Sequence, residues 1–430
     1  MDERTAQRGD GSEAERTRLT SVGRPPVSWR TPAVILACGC LIAMIGFGAR
    51  SGLGFFLTPM SSAHGWGRDV FALALAIQML LWGAAQPLAG AVADRYGAAS
   101  VLSVGAVLYA RGLAAMAYAT TPGMLHLTAG AVIGFGLAGS SFTIVIGAFG
   151  RLMPPQWRSL AFGAGTAAGS FGQFLFSPLA VALIDRAGWQ DTLVIFAAVV
   201  LLIMPLSLAL AAPRQVGAPA AASNREHQSV AQALSEALGH KSYVLLVLGF
   251  FTCGFQIFFI AVHLPAYLVD RGLSASVGGW TMAAIGLFNI VGSLVAGWLG
   301  NRMPKRYILS VIYFARALAV LVFISVPPSV TATLIFGASF GLLWLSTVPP
   351  TSALVALMFG TRWLAMLFGF AFFSHQVGGF LGVWLGGIVF ERTGSYELVW
   401  WLSILFGVLS GLINLPIVER PVARVASMPA

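Results

Sequence analysis

Three arginines stand inside long apolar stretches of this chain: Arg50, Arg111 and Arg316. No Asp or Glu occupies the interior of such a stretch; Asp69 and Glu397 sit just beyond segment ends. A guanidinium at the middle of a bilayer costs about 3 kcal/mol on insertion scales, so it normally faces a partner or water. With no carboxylate on the chain to pair with, the missing negative charge would arrive with a ligand. Guanidinium meets a carboxylate in bidentate geometry. The chemistry open to these residues is therefore recognition of an organic anion. Gln173, Gln256 and Asn289 can bond a ligand or a neighbouring helix. His375 carries the side chain whose ordinary titration falls near neutrality, which makes it the candidate proton carrier. Structural alternatives stand beside each. Arg50 could be tied to main-chain carbonyls as a gate, Arg111 and Arg316 could brace the fold, and His375 could be a neutral core histidine.

The elements that hold these residues follow from composition. Hydrophobic residues make up 57% of the 430 and charged residues 9%, against roughly 25% charged in soluble domains. A helix needs about 20 apolar residues to span a bilayer. Twelve such segments are expected, near 34–58, 70–92, 99–120, 124–149, 158–183, 190–212, 242–267, 277–300, 306–326, 329–352, 362–390 and 398–417. The runs are continuous and too long for barrel strands. The fold class is thus an all-α membrane protein of twelve transmembrane helices in two pseudo-symmetric six-helix halves. The divisions are a tail at 1–31, a first half at 32–212, a polar linker at 213–241, a second half at 242–417 and a tail at 418–430. At about 1.5 Å per residue, Arg316 lies roughly 15 Å from the inner face, Arg111 roughly 18 Å and Arg50 roughly 24 Å. Gln256 and His375 come out at about 20 Å, near the middle third where carriers built of two repeats bind their cargo.

Charge sets the orientation. Eighteen of the 25 Lys and Arg fall on the side that holds both ends of the chain, and four (Arg68, Arg186, Arg271 and Arg392) on the other. By the positive-inside rule both termini are cytoplasmic, in a bacterial-type inner membrane. The net charge of +10 is spread over short loops, which argues against a nucleic-acid partner. Cys38, Cys40 and Cys253 lie in apolar segments without metal or disulfide spacing. No acid pair, metal cluster or activated nucleophile appears in the spans, so neither an enzyme nor a cofactor is expected.

A repeat marks the two halves. Gly90-Ala-Val-Ala-Asp94-Arg95-Tyr-Gly97 closes one segment, and Gly297-Trp-Leu-Gly-Asn301-Arg302 closes its counterpart. Each precedes a segment with an arginine, Arg111 or Arg316. Small residues at Gly165 and Gly169, and at Gly378, Gly382 and Gly386, have the spacing that lets helices approach closely. Pro59, Pro87, Pro178, Pro265, Pro349 and Pro350 are places where helices can kink.

The first repeat, Gly90-xxx-Asp94-Arg95-x-Gly97, resembles the loop between spans 2 and 3 of the major facilitator superfamily. That resemblance implies a conformational role for Gly90, Asp94, Arg95 and Gly97, and for Asn301 and Arg302 in the second copy. A narrower likeness is to the monocarboxylate transporters and oxalate–formate exchangers. Arg50-Ser51-Gly-Leu-Gly-Phe55-Phe56 looks like their Lys-Ser-x-x-x-Phe-Phe with Arg for Lys. Arg158-Ser-Leu160-Ala161-Phe-Gly163 resembles their Arg-x-Leu-Ala-x-Gly. Arg50 inherits a role in substrate handling from this likeness. Span 8 departs from it, with Asn289-Ile-Val-Gly-Ser293 where the family often has Asp-x-x-x-Arg. Aligning Pro59 with Pro265 puts Gln256 opposite Arg50. The expectation is a monomeric secondary transporter that moves a small organic anion, with a monocarboxylate favoured, by proton symport or anion exchange. Its other partners are protons and the bilayer. The alternatives are an exporter of amphipathic compounds and a non-transporting membrane receptor.

Overall fold

The structure, a computed structural model, describes residues 29–211, 230–360 and 363–422. Most of the tails and linker read from the sequence lie outside these residues. Among the described residues eleven helical stretches are long and apolar enough to cross a membrane. One of them, Gln156–Leu210, is 55 residues long and holds two crossings. Gly188 turns the chain between them with φ +81, a conformation open to glycine at little cost. The bundle thus contains twelve crossings: α1 Pro32–His64, α2 Arg68–Tyr96, α3 Ala98–Ala117, α4 Pro122–Leu152, α5 155–187, α6 189–210, α7 Lys241–Asp270, α8 Ala275–Gly300, α9 Lys305–Ser325, α10 Val330–Phe359, α11 Leu364–Thr393 and α12 Glu397–Asn414. A short helix, Val230–Gly239, precedes α7.

Lipid offers the backbone no hydrogen bonds, so each crossing must satisfy its own, as a helix does. Local signals set several starts. Thr31 accepts from the Val34 amide ahead of Pro32, and Thr121 accepts from the Met124 amide ahead of Pro122; proline suits the first helical turn. Helices α1–α6 pack as one half and α7–α12 as the other, and the halves meet chiefly through α2 against α11 and α5 against α8.

Besides a break at Leu202 in α6, three helices are interrupted. Helix α1 tightens into a 3-10 turn at Leu53–Phe56. Helix α4 pauses at Ser140–Ser141, between segments ending at Gly139 and starting at Phe142. Its counterpart α10 pauses between Leu343 and Val348. Pro349 and Pro350 lack the amide hydrogens that would continue the α10 ladder. Interrupted segments at matching places in the two halves mark the binding region of such carriers.

The closest packing is between α7 and α11. A Cβ on Gly254 would meet the His375 carbonyl, and one on Gly378 or Gly382 would meet the carbonyls of Phe251 or Phe255. Glycine at these places lets backbone touch backbone. Gly378→Val would force α7 and α11 apart, a loss of about 1–3 kcal/mol typical of overpacking. Fluorescence-detected size exclusion after a heat step should show a lower midpoint than wild type; an unchanged midpoint would contradict the packing described.

Candidate functional site

A cavity of about 380 Å³ lies between the halves. Its walls come from α1, α2, α4 and α5 on one side and α7, α8, α10 and α11 on the other; the breaks in α4 and α10 reach it through Ser140, Ser141, Trp344 and Leu345, and α1 reaches it through Arg50 and Ser51, just before its 3-10 turn. Thr143 and Thr166 form an exposed rim. The blind end is buried and polar: Arg50 is 6% exposed, Gln173 1% and His375 4%. Beyond it the Leu53–Phe56 turn seals the bundle against α7, with Gly54 against the Ala261 carbonyl.

Arg50 has no acidic partner among the described residues. Its Nη2 donates to Met79 Sδ at 3.0 Å, a weak acceptor. The guanidinium carbon lies 4.5 Å from the Phe258 ring and 5.7 Å from the Trp82 ring, within cation–π range. Its Nε has no partner. Both amide atoms of Gln173 are likewise buried and unpartnered. Leaving such a group unmade costs about 1–3 kcal/mol, so each has a reason to engage a guest.

A chain of contacts ties Arg50 to His375 across the halves. Gln376 Nε2 donates to the Met79 carbonyl at 3.3 Å. Its Oε1 therefore faces His375 Nδ1, 3.1 Å away, and accepts from Nδ1–H. That fixes the tautomer and leaves His375 Nε2 without a hydrogen bond of its own, an acceptor on a ring that also neighbours the Cys253 thiol.

The structure brings Arg50, Gln173 and His375 together and separates the other expected residues. Gln256 faces α12 instead of the cavity, and its Nε2 donates to the Ser403 carbonyl at 2.9 Å. Arg316 is wholly buried behind Trp344, where Nε and Nη2 donate to the Leu343 carbonyl at 3.1 and 2.6 Å, and Nη2 also reaches the Trp344 carbonyl. These carbonyls are freed by the break in α10. Asn289 serves the same break: its Oδ1 accepts from the Leu345 amide at 2.9 Å, while Nδ2 donates across the halves to Ser170 Oγ at 2.9 Å. Arg111 is exposed on the outside of α3. Trp82, Phe258, Met79 and Gln376, which complete the blind end, were not singled out from the sequence; Gln376, an amide inside an apolar segment, was the readable signal.

The repeated loops lie at the end of the bundle where α1 starts and α12 finishes; Lys305, just after the second of them, pairs with Glu419 at 3.9 Å. Gly90 is half-buried near the end of α2, and Gly97 caps that helix with φ +94. Arg95 lies exposed over the Tyr96 ring. Asn301 caps α8, and Arg302 stacks 3.8 Å from the Trp298 ring. The side chain of Asp94 lies outside what is described. At the opposite end is a clasp that the sequence reading took as a plain loop charge. Arg68 pairs with both carboxylate oxygens of Asp270 at 2.6 and 2.7 Å, donates to Tyr396 Oη at 2.9 Å and stacks 3.9 Å from the Phe390 ring. Its backbone amide donates to Glu391 at 2.6 Å. One half is thereby fastened to the other on the far side of the cavity.

Two broken-helix halves around a closed-ended cavity define a membrane carrier. The Major Facilitator Superfamily profile matches residues 39–383, and the chain belongs to that family; it is a multi-pass membrane transporter. It is 29% identical to the uncharacterized MFS-type transporter YcxA of Bacillus subtilis (strain 168), over 87% of this chain and 92% of that one. It is 28% identical to human monocarboxylate transporter 11, over 78% of this chain and 71% of that one. Among solved structures it superposes on an inward-facing, unoccupied bacterial homologue of the human lysosomal transporter Spinster, with a TM-score of 0.72, 15% identity and coverage of 89% and 96%. It also superposes on a D-xylose–proton symporter, with a TM-score of 0.68, 15% identity and coverage of 91% and 98%.

The clasp predicts a conformational effect. A partly screened, bidentate pair of this kind contributes about 1–2 kcal/mol. Asp270→Asn should therefore move the population by roughly tenfold towards states parted at the Arg68 end. Pulsed electron resonance between labels at Ser62 and Ser274 reads this as longer distances; an unaltered distribution would count against the clasp.

Proposed function

We propose that this chain is a secondary transporter of a small organic anion, a monocarboxylate, with Arg50 as its anchor. The observation that carries the reading is Arg50 itself: a buried guanidinium at the blind end of the central cavity, with no carboxylate beside it among the described residues and an unpartnered Nε. A carboxylate there would gain charge-assisted, fork-like hydrogen bonds, and Gln173 could donate a further one. The monocarboxylate transporters among the relatives support the same class. The charge bias of the loops favours cytoplasmic termini in an inner membrane, and the clasped state is then the one open to the cytoplasm. Alternating access follows if the halves rock about the cavity, releasing the Arg68 clasp as the other end closes. The repeated loops, with Asp94, Arg95 and Arg302, would join at that closing end. His375 suits proton coupling. Its Nε2 could take a proton as the anion enters, and the pair would cross with its charge balanced.

A second reading, export of amphipathic cations, draws on the ring-rich wall. Arg50 opposes it. A cation about 5 Å from that guanidinium meets roughly 3 kcal/mol of repulsion at an effective dielectric of about 20.

Uptake of labelled monocarboxylates into proteoliposomes tests the reading. Arg50→Ala should lower kcat/KM by about 100-fold or more, the scale for removing one partner of a buried charge pair. Arg111→Ala, on the outer surface, should transport like wild type. Arg316→Ala strands two carbonyls and should lose about 1–3 kcal/mol of stability, seen as a lower melting midpoint in detergent. Carboxylate uptake undiminished in Arg50→Ala would end the proposal. His375→Gln should retain exchange of substrate for substrate but lose accumulation driven by a pH gradient; retained accumulation would remove the proton role.

A further inference from the structure

The two halves give the cavity unlike walls. The first half supplies most of the hydroxyls and amides, Gln86, Ser141, Thr143 and Gln173 among them, beside the rings of Phe47, Trp82 and Phe142. The second supplies rings, chiefly Phe250, Phe258, Phe372 and Trp344. The rings gather beside Arg50. Phe258 lies against the guanidinium, and the His375 ring sits 4.9 Å from Phe250, 5.4 Å from Phe258 and 5.8 Å from Phe372, centre to centre. Trp82 meets Phe372 edge-on at 5.9 Å and 73°. These are the spacings at which aromatic side chains attract one another. Phe372 and Trp82 are only half-buried, so part of each faces the cavity.

A two- or three-carbon acid held on Arg50 would leave those faces wet. The cavity, at about 380 Å³, has room for on the order of a dozen water-sized groups, about twice the heavy atoms of lactate. A second carboxylate would find no further guanidinium or ammonium: Arg50 is the only Arg or Lys among the described residues lining the wall, Arg316 is committed to α10 carbonyls behind Trp344, and a proton taken up by His375 balances the first carboxylate. We infer that the anion is an arylalkyl monocarboxylate, its carboxylate on Arg50 and its flat ring against Phe258, Phe372 and Trp82. Any polar substituent on that ring would turn to the hydroxyl wall around Gln86 and Ser141. This inference rests on the reading of Arg50 as the carboxylate anchor.

The test is counterflow in proteoliposomes of the full chain at pH 7.5, with leak through protein-free liposomes subtracted. The probes are labelled lactate, 3-phenylpropionate, indole-3-acetate and the uncharged 3-phenylpropanamide. The aryl acids should exceed lactate in kcat/KM by at least about tenfold, the discrimination an apolar pocket achieves, and the amide should not be carried. Phe372→Ala should collapse the aryl-to-lactate ratio. Lactate carried as well as the aryl acids overturns the inference and leaves the monocarboxylate reading standing. The amide carried as well as its acid overturns the anchor on which both depend, and so does the absence of counterflow with all four probes.

Discussion

Among the described residues Arg50 is a buried guanidinium held by neither a counter-charge nor main-chain carbonyls, and the rest of the site is arranged around it. Arg50 sits at the end of the first segment of α1, where the helix tightens into its 3-10 turn. Its immediate partners are soft: a thioether sulfur and two ring faces. Such contacts reduce the burden of a buried cation without neutralising it, since cation–π attraction is worth only about 0.5–2 kcal/mol. A fixed carboxylate in the same place would pair with Arg50 and compete with any anionic guest. The soft surroundings therefore hold the cation in position and keep its charge available.

The second constraint is the main chain. Breaking α4 and α10 beside the cavity frees backbone groups in a medium that cannot hydrogen-bond them. In α10 they are met by side chains from neighbouring helices: Arg316 takes the Leu343 and Trp344 carbonyls, and Asn289 takes the Leu345 amide. In α4 the serines turn inward, and Gln86 bonds Ser141 and Thr143 at 2.9 and 2.6 Å. Polar residues within the bilayer thus divide into two kinds. Some, such as Arg316 and Asn289, are spent on the backbone of a broken helix; others, such as Arg50 and Gln173, retain unmade bonds that face the cavity.

That division explains what could be read from the residues alone. Segment number and the two halves follow from apolar length, and the crossings match them. Azimuth does not. Lipid tails and protein core are equally apolar, so a membrane helix shows little contrast between its faces. Arg111 and Arg316 have similar depths and similar flanking residues, yet one is exposed and the other wholly buried. The overlay of Gln256 on Arg50 failed for the same reason: equal depth on α7 put its amide against α12. Glycine spacing was more informative, because Gly378 and Gly382 face α7 wherever backbones must touch. The clasp at Arg68 was hidden because its partners, Asp270 and Glu391, lie far away in sequence at the ends of two other helices.

If the halves rock as proposed, contacts between them must part. Besides the Arg68 clasp, Asn289 bonds Ser170 and Gln376 bonds the Met79 carbonyl across the halves. Each such hydrogen bond contributes about 1 kcal/mol net, so together with the clasp they bias the two states by only a few kcal/mol. A guest can shift such an equilibrium only through unequal affinity for its two states. The contacts are placed to make affinity unequal. Met79 receives Arg50 through its sulfur and Gln376 through its carbonyl, and Gln376 in turn orients His375. An anion that draws Arg50 away from the Met79 sulfur alters the residue to which the second half is bonded. On the proposed reading, charge recognition and the seam between the halves meet at one side chain, Met79.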